Sequence, residues 1–386
     1  MHIGLFTDSY LPRRSGVVRA VEATARSLRR RGHRVSIFAP RYSGYADDDP
    51  DIYRFPSISP PRYPDFPLAV PFPGGHLHAI RELRLDLVHT HSPFLLGGVG
   101  LWAARASRRP VIFTYHTLYA EYVHYAPVLG EVTRPLVVAY TTAYCNRCDR
   151  VLASVPSLSA RLRHYGVRTP VEIVPSAGID PSEFEGVAAG RVREKSGIPA
   201  DAALLVFVGR LGKEKGVALL LDTLVALPSG VWLLIVGDGP ERASLEASAA
   251  RLGVAPRVVF AGSQDRPRVV EALFAADVFV FPSQTETLGL VVLEAMAAGC
   301  AVVAVQAGAA ADIIRDGESG RLVPPDPRAF AEAIRDVLGN AERRTAMAAR
   351  ARTVAAAYSQ DKVTDRLIGA YEETIARHGV LASQNA

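Results

Sequence analysis

The sequence predicts an α/β protein of two doubly wound domains, each a parallel sheet covered by helices on both faces. Three observations point there. The chain has 386 residues, more than one hydrophobic core comfortably holds. Both halves alternate short, β-branched, largely apolar runs with segments of helical periodicity, the pattern of parallel strands buried on two sides. Between the halves lies "VEIVPSAGIDPSEFEG" (171–186), rich in Pro, Gly and Ser, which reads as a linker.

Taken in order, the first half offers strands at "HIGLFT" (2–7), "RVSIFAP" (34–40), "LDLVHTH" (85–91), "PVIFTYH" (110–116) and "RVLASV" (150–155). The second offers "ALLVFVG" (203–209), "VWLLIVG" (231–237), "VVFAG" (258–262), "DVFVFPS" (277–283) and "AVVAV" (301–305). The expected domains are 1–172 and 173–357, followed by an amphipathic helix at about 358–378. Ligands of such sheets bind beyond the carboxyl ends of the strands, so a cleft between two facing sheets is the expected site.

Composition narrows the classes. The longest apolar stretches, such as "VALLLDTLVAL" (217–227), stop short of the roughly 20 residues that cross a bilayer. "HIGLFTDSY" at the start has neither a basic leader nor a cleavage site, so a cytoplasmic location is expected. Cys145, Cys148 and Cys300 cannot build a disulfide framework, and the lone C-x-x-C pair reads as two packed thiols on a helix. "ADDDPD" (46–51) reads as a solvated loop rather than a metal site. Residues 1–170 hold 22 Arg and no Lys against 12 Asp or Glu, although the whole chain carries only +5. A basic half suits nucleic acid, a membrane surface or a phosphorylated substrate, unless it reflects a general preference for Arg over Lys. No interleaved aromatic platform accompanies the arginines, which argues against a nucleic-acid partner.

Four places carry chemistry. Gly16 stands where the first strand's loop opens a helix, a place where backbone N–H groups and the helix dipole can meet an anion, or where a helix simply caps. Arg210 and Lys215 lie in the loop after the sixth strand and together suit a diphosphate, or are merely solvated. His116 arrives at the carboxyl end of the fourth strand, followed by Tyr119, Glu121 and Tyr122; a lone histidine more often packs than reacts. Glu286 precedes, and Glu294 lies two turns into, the apolar helix "LGLVVLEAMAAG" (288–299). With no ion pair expected there, buried carboxylates need hydroxyl donors, which a sugar or ribose supplies.

Together, "GVVRAVEATARSLRRRGHRVSIFAP" (16–40), "VGRLGKEKG" (208–216), "ETLGLVVLEAMAAGCAVVA" (286–304) and "DGESGRLVPP" (316–325) closely resemble glycosyltransferases of family four. The likeness covers nearly the whole chain. It implies the GT-B fold, two Rossmann-like domains facing across a cleft, with the last helix returning to the first. It implies retaining transfer of a hexose from a UDP- or GDP-sugar, the leaving phosphate taking the acceptor's proton, with no metal or other cofactor. By the resemblance, Glu286 holds donor-sugar hydroxyls and Glu294 the ribose. The backbone of Leu288, Gly289, Leu290 and Val291 faces the diphosphate, which Arg210 and Lys215 bind, with Gly16 approaching from the other domain. His116 lies by the reacting side of the sugar, and Gly262 near the base.

"YHTLYAEYVHY" (115–125) resembles the branch that glycosylates diacylglycerol-type lipids, differing at Leu118 and Ala120. The expected acceptor-side residues are Tyr10, Arg13, Tyr119, Glu121 and Tyr122. Two features of the residues themselves agree with a lipid. Arg13, Arg14, Arg19, Arg26, Arg29, Arg30, Arg31 and Arg34 crowd the first helix and its approach, each worth about 1 kcal/mol near an anionic bilayer. The loop 55–75 is proline-rich and apolar, able to dip into an interface or to pack over the core. The expectation is a peripheral enzyme at the inner face of the plasma membrane. A soluble sugar or sugar-phosphate acceptor is the nearest alternative, and an epimerase, a hydrolase or a non-catalytic nucleotide-binding module the more distant ones.

Overall fold

The computed structural model describes residues 1–13, 15–60, 67–70, 80–121, 133–187, 189 and 192–384. They form two compact units, residues 1–178 with 360–386, and residues 179–359.

In the first unit the strands are β1 (His2–Phe6), β2 (Arg34–Pro40), β3 (Ile52–Phe55), β4 (Ser57–Ile58), β5 (Leu68–Ala69), β6 (Leu87–Thr90), β7 (Val111–Thr114), β8 (Arg150–Ala153) and β9 (Val171–Ile173). Seven of them make one sheet in the order β3-β2-β1-β6-β7-β8-β9, parallel throughout. The central strands β1, β6 and β7 are buried at every position, which is why they carry no Asp, Glu, Lys or Arg. The chain leaves β1 toward β2 and β3 and returns to β6 on the other side. That reversal between β1 and β6 is the crevice where doubly wound sheets bind ligands.

The expected boundary at 172 moves to 178, because 171–173, read as linker, forms the edge strand β9 against β8. The last helix, Gln360–Gln384, belongs to the first unit. Leu367, Ala370 and Tyr371 lie in the same apolar cluster as Ile3, Leu5, Val21, Leu28 and Ile37. Each such side chain taken from water contributes about 1.5–3 kcal/mol, so this helix is integral to that core.

The second unit holds β10 (Ala203–Val208), β11 (Val231–Val236), β12 (Val258–Gly262), β13 (Val278–Phe281), β14 (Ala301–Val305) and β15 (Arg321–Val323). Their order is β12-β11-β10-β13-β14-β15, again parallel. Here the reversal falls between β10 and β13. The carboxyl ends of β10 to β12 are crowded with glycines for a steric reason. A Cβ on Gly237 (φ +143°) would lie 1.9 Å from the Gly209 carbonyl oxygen, and one on Gly239 2.4 Å from that of Leu211. Gly237 N–H donates to the Gly262 carbonyl at 2.9 Å, so the backbones touch where side chains would otherwise stand.

Several expectations about loops and charges change. "ADDDPD" is not simply solvated: Asp47 forms a nearly buried ion pair with Arg54 at 2.7 Å, and Asp49 pairs with Arg29 at 2.5 Å. Arg31 pairs with Asp365 and Asp361. Two of the arginines expected to await a membrane are thus engaged within the fold, since local carboxylates outcompete a distant surface. Of the loop 55–75, residues 61–66 and 71–75 fall outside the described residues, as does Arg14. The described parts pair as β4 and β5, antiparallel, with Ile58 opposite Leu68 and both more than half exposed. Cys145, Cys148 and Cys300 are buried free thiols. No helix among the described residues is long and apolar enough to cross a membrane.

Candidate functional site

In the second unit the reversal between β10 and β13 brings two loops together. Ser283 Oγ donates to the Glu214 carbonyl at 3.2 Å. Gly216, at φ +64°, ends the turn Lys213–Lys215 against the Pro282 carbonyl. This delivers Lys215 Nζ to 2.6 Å from Glu286 Oε2 and 5.8 Å from the Phe281 ring centre. Burial opposes ionisation of Glu286, but the Lys215 ammonium and the N–H groups of Thr287 and Gly289 outweigh it and hold the carboxyl below its usual range. The loop is tied from behind, where Ala309 N–H donates to the Glu286 carbonyl at 3.0 Å. Gly308 (φ +52°) allows that approach, since a Cβ would stand 2.7 Å from the same oxygen. Thr285 Oγ1 beside it is buried without a hydrogen-bond partner among the described residues.

Gly289, in the left-handed region at φ +68°, opens the helix Leu290–Ala298. Its N–H faces the Glu286 carboxylate, so the place at which a diphosphate was expected holds a protein anion here. Arg210 is half exposed, with Glu214 Oε1 at 3.7 Å. The sequence-level premise that an ion pair was absent around Glu294 does not survive. Glu294 is 2% exposed, with Arg266 Nη1 at 3.0 Å, and Arg266 also binds Glu183. Arg266 begins the helix Arg266–Ala275 and reaches Glu294 from a separate element, which is why reading along one helix missed it. Gly262 closes β12 at φ +68°.

In the first unit the reversal between β1 and β6 gathers histidines. His89 Nδ1 lies 2.7 Å from Tyr371 Oη and Nε2 2.7 Å from Thr114 Oγ1. His91 Nδ1 lies 2.9 Å from His116 Nε2, and the two rings stack. All three are buried. Burial pulls His89 down to about 3, with the His116 charge adding to it, and His116 down to about 4. Burial and its two histidine neighbours hold His91 well below its usual value. The layer is therefore neutral at physiological pH. His91 Nε2 is buried with no partner among the described residues.

Beside it, at the end of β1, stands Asp8, which sequence reasoning passed over. Its carboxylate accepts from Ser92 Oγ and, at 2.8 Å, from Leu96 N–H in the first turn of the helix Leu95–Ala106. Burial raises its pKa against the pull of both bonds. A polar residue closing an otherwise apolar strand, "GLFTD", was the available signal.

The remaining expected residues are less suited to their assigned parts. Tyr10 is 4% exposed and lies in the apolar core under Arg54; it is not presented to an acceptor. Glu121 is occupied by Arg134 at 2.7 Å and Arg161 at 3.2 Å. Tyr119 packs edge-on to Phe94 and Tyr115, and Arg13 reaches Ser9 Oγ at 3.3 Å. Tyr122 lies outside the described residues. Gly16 is exposed at the start of its helix, capped by Ser15, with open space over its Cα.

Two Rossmann-like parallel sheets, with a cation and two carboxylates near the switch of the second, fit the GT-B glycosyltransferase architecture that the sequence led us to expect. The comparisons agree. The family model described as Glycosyltransferase Family 4 matches residues 14–183, and that described as Glycosyl transferases group 1 matches residues 190–354. A GDP-mannose-dependent alpha-mannosyltransferase of Mycolicibacterium smegmatis is 32% identical over 99% of this chain and 100% of its own. An alpha-monoglucosyldiacylglycerol synthase of Streptococcus pneumoniae is 32% identical over 79% of this chain and 71% of its own. In fold, the solved structure of Anabaena HepE in complex with UDP matches with a TM-score of 0.77 at 20% identity, covering 97% of this chain and 100% of that one. The chain belongs to glycosyltransferase family four.

Proposed function

We propose that this protein is a retaining hexosyltransferase that moves a sugar from a UDP- or GDP-sugar to the hydroxyl of a diacylglycerol-type membrane lipid. The observation that carries the donor half is the Lys215–Glu286 pair at 2.6 Å on the β10–β13 reversal. A diphosphate arriving there competes with Glu286 for the Lys215 ammonium and for the N–H of Gly289. Lys215, Arg210 and the helix N-terminus then face the charge that grows on the leaving phosphate, where preorganised cations act most strongly. Glu286, released, accepts hydrogen bonds from sugar hydroxyls, and Glu294 takes the ribose. The leaving phosphate receives the acceptor's proton, so the reaction requires no metal and no other cofactor.

The lipid half rests on the relation to the alpha-monoglucosyldiacylglycerol synthase of Streptococcus pneumoniae and on exposed apolar residues of the first unit, among them Ile58, Leu68, Leu136 and Tyr140. On this reading the protein works at the inner face of the plasma membrane. A thermal-shift screen of UDP, GDP and their glucose, galactose and mannose sugars, then product analysis with diacylglycerol vesicles, tests both halves. A stabilising donor and a glycolipid product are expected. Stabilisation without glycolipid points to a soluble acceptor, and no response to any nucleotide removes the assignment of Lys215, Arg210 and Glu294.

A further inference from the structure

The first unit contains a cavity of about 590 Å³ lined by Asp8, Pro67, Leu68, Ala69, Phe94, Leu95 and Tyr140, within the range of small-molecule sites. Among the described residues of that wall, one group is charged. Asp8 stands at the carboxyl end of β1, and its partner Ser92 follows β6, so the cavity opens on the reversal of the sheet, the place where doubly wound sheets bind ligands. The other described residues of the wall are apolar or aromatic, and its rim faces solvent: Leu68 is 53% exposed, Tyr140 50%, Phe94 41% and Leu95 39%. Phe94 and Tyr140 stack at 5.9 Å, and Tyr140 Oη donates to the Pro93 carbonyl, so the aromatic wall is built in place.

We propose that this cavity is the acceptor site, that Asp8 binds the reacting hydroxyl of an uncharged amphiphilic alcohol, and that Leu68, Phe94, Leu95 and Tyr140 take its hydrocarbon. This rests on the lipid reading above and names the residues that would carry it. The helix cap and Ser92 use one lone pair on each Asp8 oxygen, and a carboxylate oxygen has a second to offer. Such a wall selects by charge. A phosphate beside Asp8 meets a like charge across an apolar medium that screens poorly, whereas a neutral hydroxyl donates to it. Glycerol alone satisfies Asp8 but leaves the apolar wall wet.

The bilayer is the source that suits the surroundings. On the helix Leu95–Ala106 the exposed positions Leu95, Gly98, Trp102 and Arg105 form one stripe, and the Arg81 guanidinium lies 5.4 Å over the Trp102 ring. An exposed Trp flanked by Arg is the composition of a membrane interface.

Asp8→Asn keeps an oxygen for the Leu96 N–H, so the cap survives while charge and acceptor strength fall. With the full chain and the donor that stabilises it best, Asp8→Asn and Leu95→Glu should each lower kcat/KM for dioctanoylglycerol by about 10- to 100-fold. Nucleotide-induced thermal shifts should not change, and glycerol and glycerol 3-phosphate should be poor acceptors. A diazirine-bearing diacylglycerol should label peptides containing Leu68, Leu95 or Tyr140, with vesicles and the dispersed short-chain lipid competing equally. Transfer to lipid with unchanged variants and labelling elsewhere overturns the cavity and leaves the lipid reading standing. Competed labelling of these peptides without transfer keeps the cavity and removes the lipid acceptor. Neither labelling nor transfer removes both.

Discussion

Arg266 and Glu294, from different helices, meet at 3.0 Å with the carboxylate almost wholly out of water. A buried charge that loses a counterion costs about 3–5 kcal/mol. Arg266 also serves Glu183, so Arg266→Met should destabilise the second unit by several kcal/mol, read as an earlier urea midpoint, whereas Glu294→Gln should cost less. Glu294→Ala should chiefly weaken nucleotide binding in calorimetry, with the surviving turnover at saturating donor close to wild type.

Glu286 and Lys215 separate binding from chemistry. Glu286→Gln frees the ammonium for phosphate while removing the carboxylate from the sugar, so nucleotide affinity should hold or rise as kcat falls about 10²- to 10³-fold. Lys215→Ala should lower both. Equal loss of nucleotide affinity in the two variants would contradict the exchange of Lys215 between Glu286 and the diphosphate.

A neutral imidazole has one donor and one acceptor nitrogen. An orphaned buried N–H is rarer than an under-used acceptor, so the unpartnered Nε2 of His91 assigns its proton to Nδ1, which donates to His116 Nε2. His116 is then expected to carry its proton on Nδ1, and with its Nε2 lone pair engaged by His91 it is not placed to act as a base through that nitrogen. Nitrogen-15 shifts of the two rings check the tautomers. His91→Ala should lower kcat and broaden the pH profile without changing nucleotide affinity.

The same histidines tie stability to pH. His89 and His116 are held at about 3 and about 4 in the fold, below the ordinary value near 6.5. The unfolded chain therefore takes up protons first, and stability present above about pH 6.5 is lost as pH falls toward 4. Each contributes a slope of about 1.4 kcal/mol per pH unit across that window. Urea midpoints measured between pH 7 and 4.5 should fall, and His89→Gln should flatten the fall.

Because Arg210, Lys215 and a helix N-terminus are assigned the charge of the leaving group, EDTA should leave the rate of transfer unchanged within a factor of about two. A chelator-dependent loss restored by a divalent cation would require a metal in the reaction.

The fold was legible where strands are central. β1, β10 and β13 are buried on both faces and read as continuous apolar runs. Three of the four edge strands were not: "IYRF", "VEI" and "RLV" mix charge with apolar residues because one side meets solvent, and "VEI" was absorbed into a linker, whereas the fourth, "VVFAG", carries no charge and was read as a strand. The site divides in the same way. Glu286, Lys215 and Glu294 stand in recognisable local patterns. Arg266 does not, because its partner lies 28 residues along the chain and only tertiary packing joins them. Asp8 left only the weak signal of a carboxylate just after an apolar strand, and what sets it apart is the apolar cavity at its side.

The helix Gln360–Gln384 places Tyr371 in the first unit's core, with its hydroxyl on His89. The portion of the protein made first is consequently the portion finished last. At about 5–20 residues per second, a ribosome spends roughly 10–40 s on residues 179–359. Throughout that interval the early half waits with an apolar groove uncovered, while the later half, continuous in sequence, is free to fold. The nascent chain is thus a natural client for chaperones that shield exposed apolar surface, and premature termination before residue 371 would release a protein with a folded donor half and an unfinished partner.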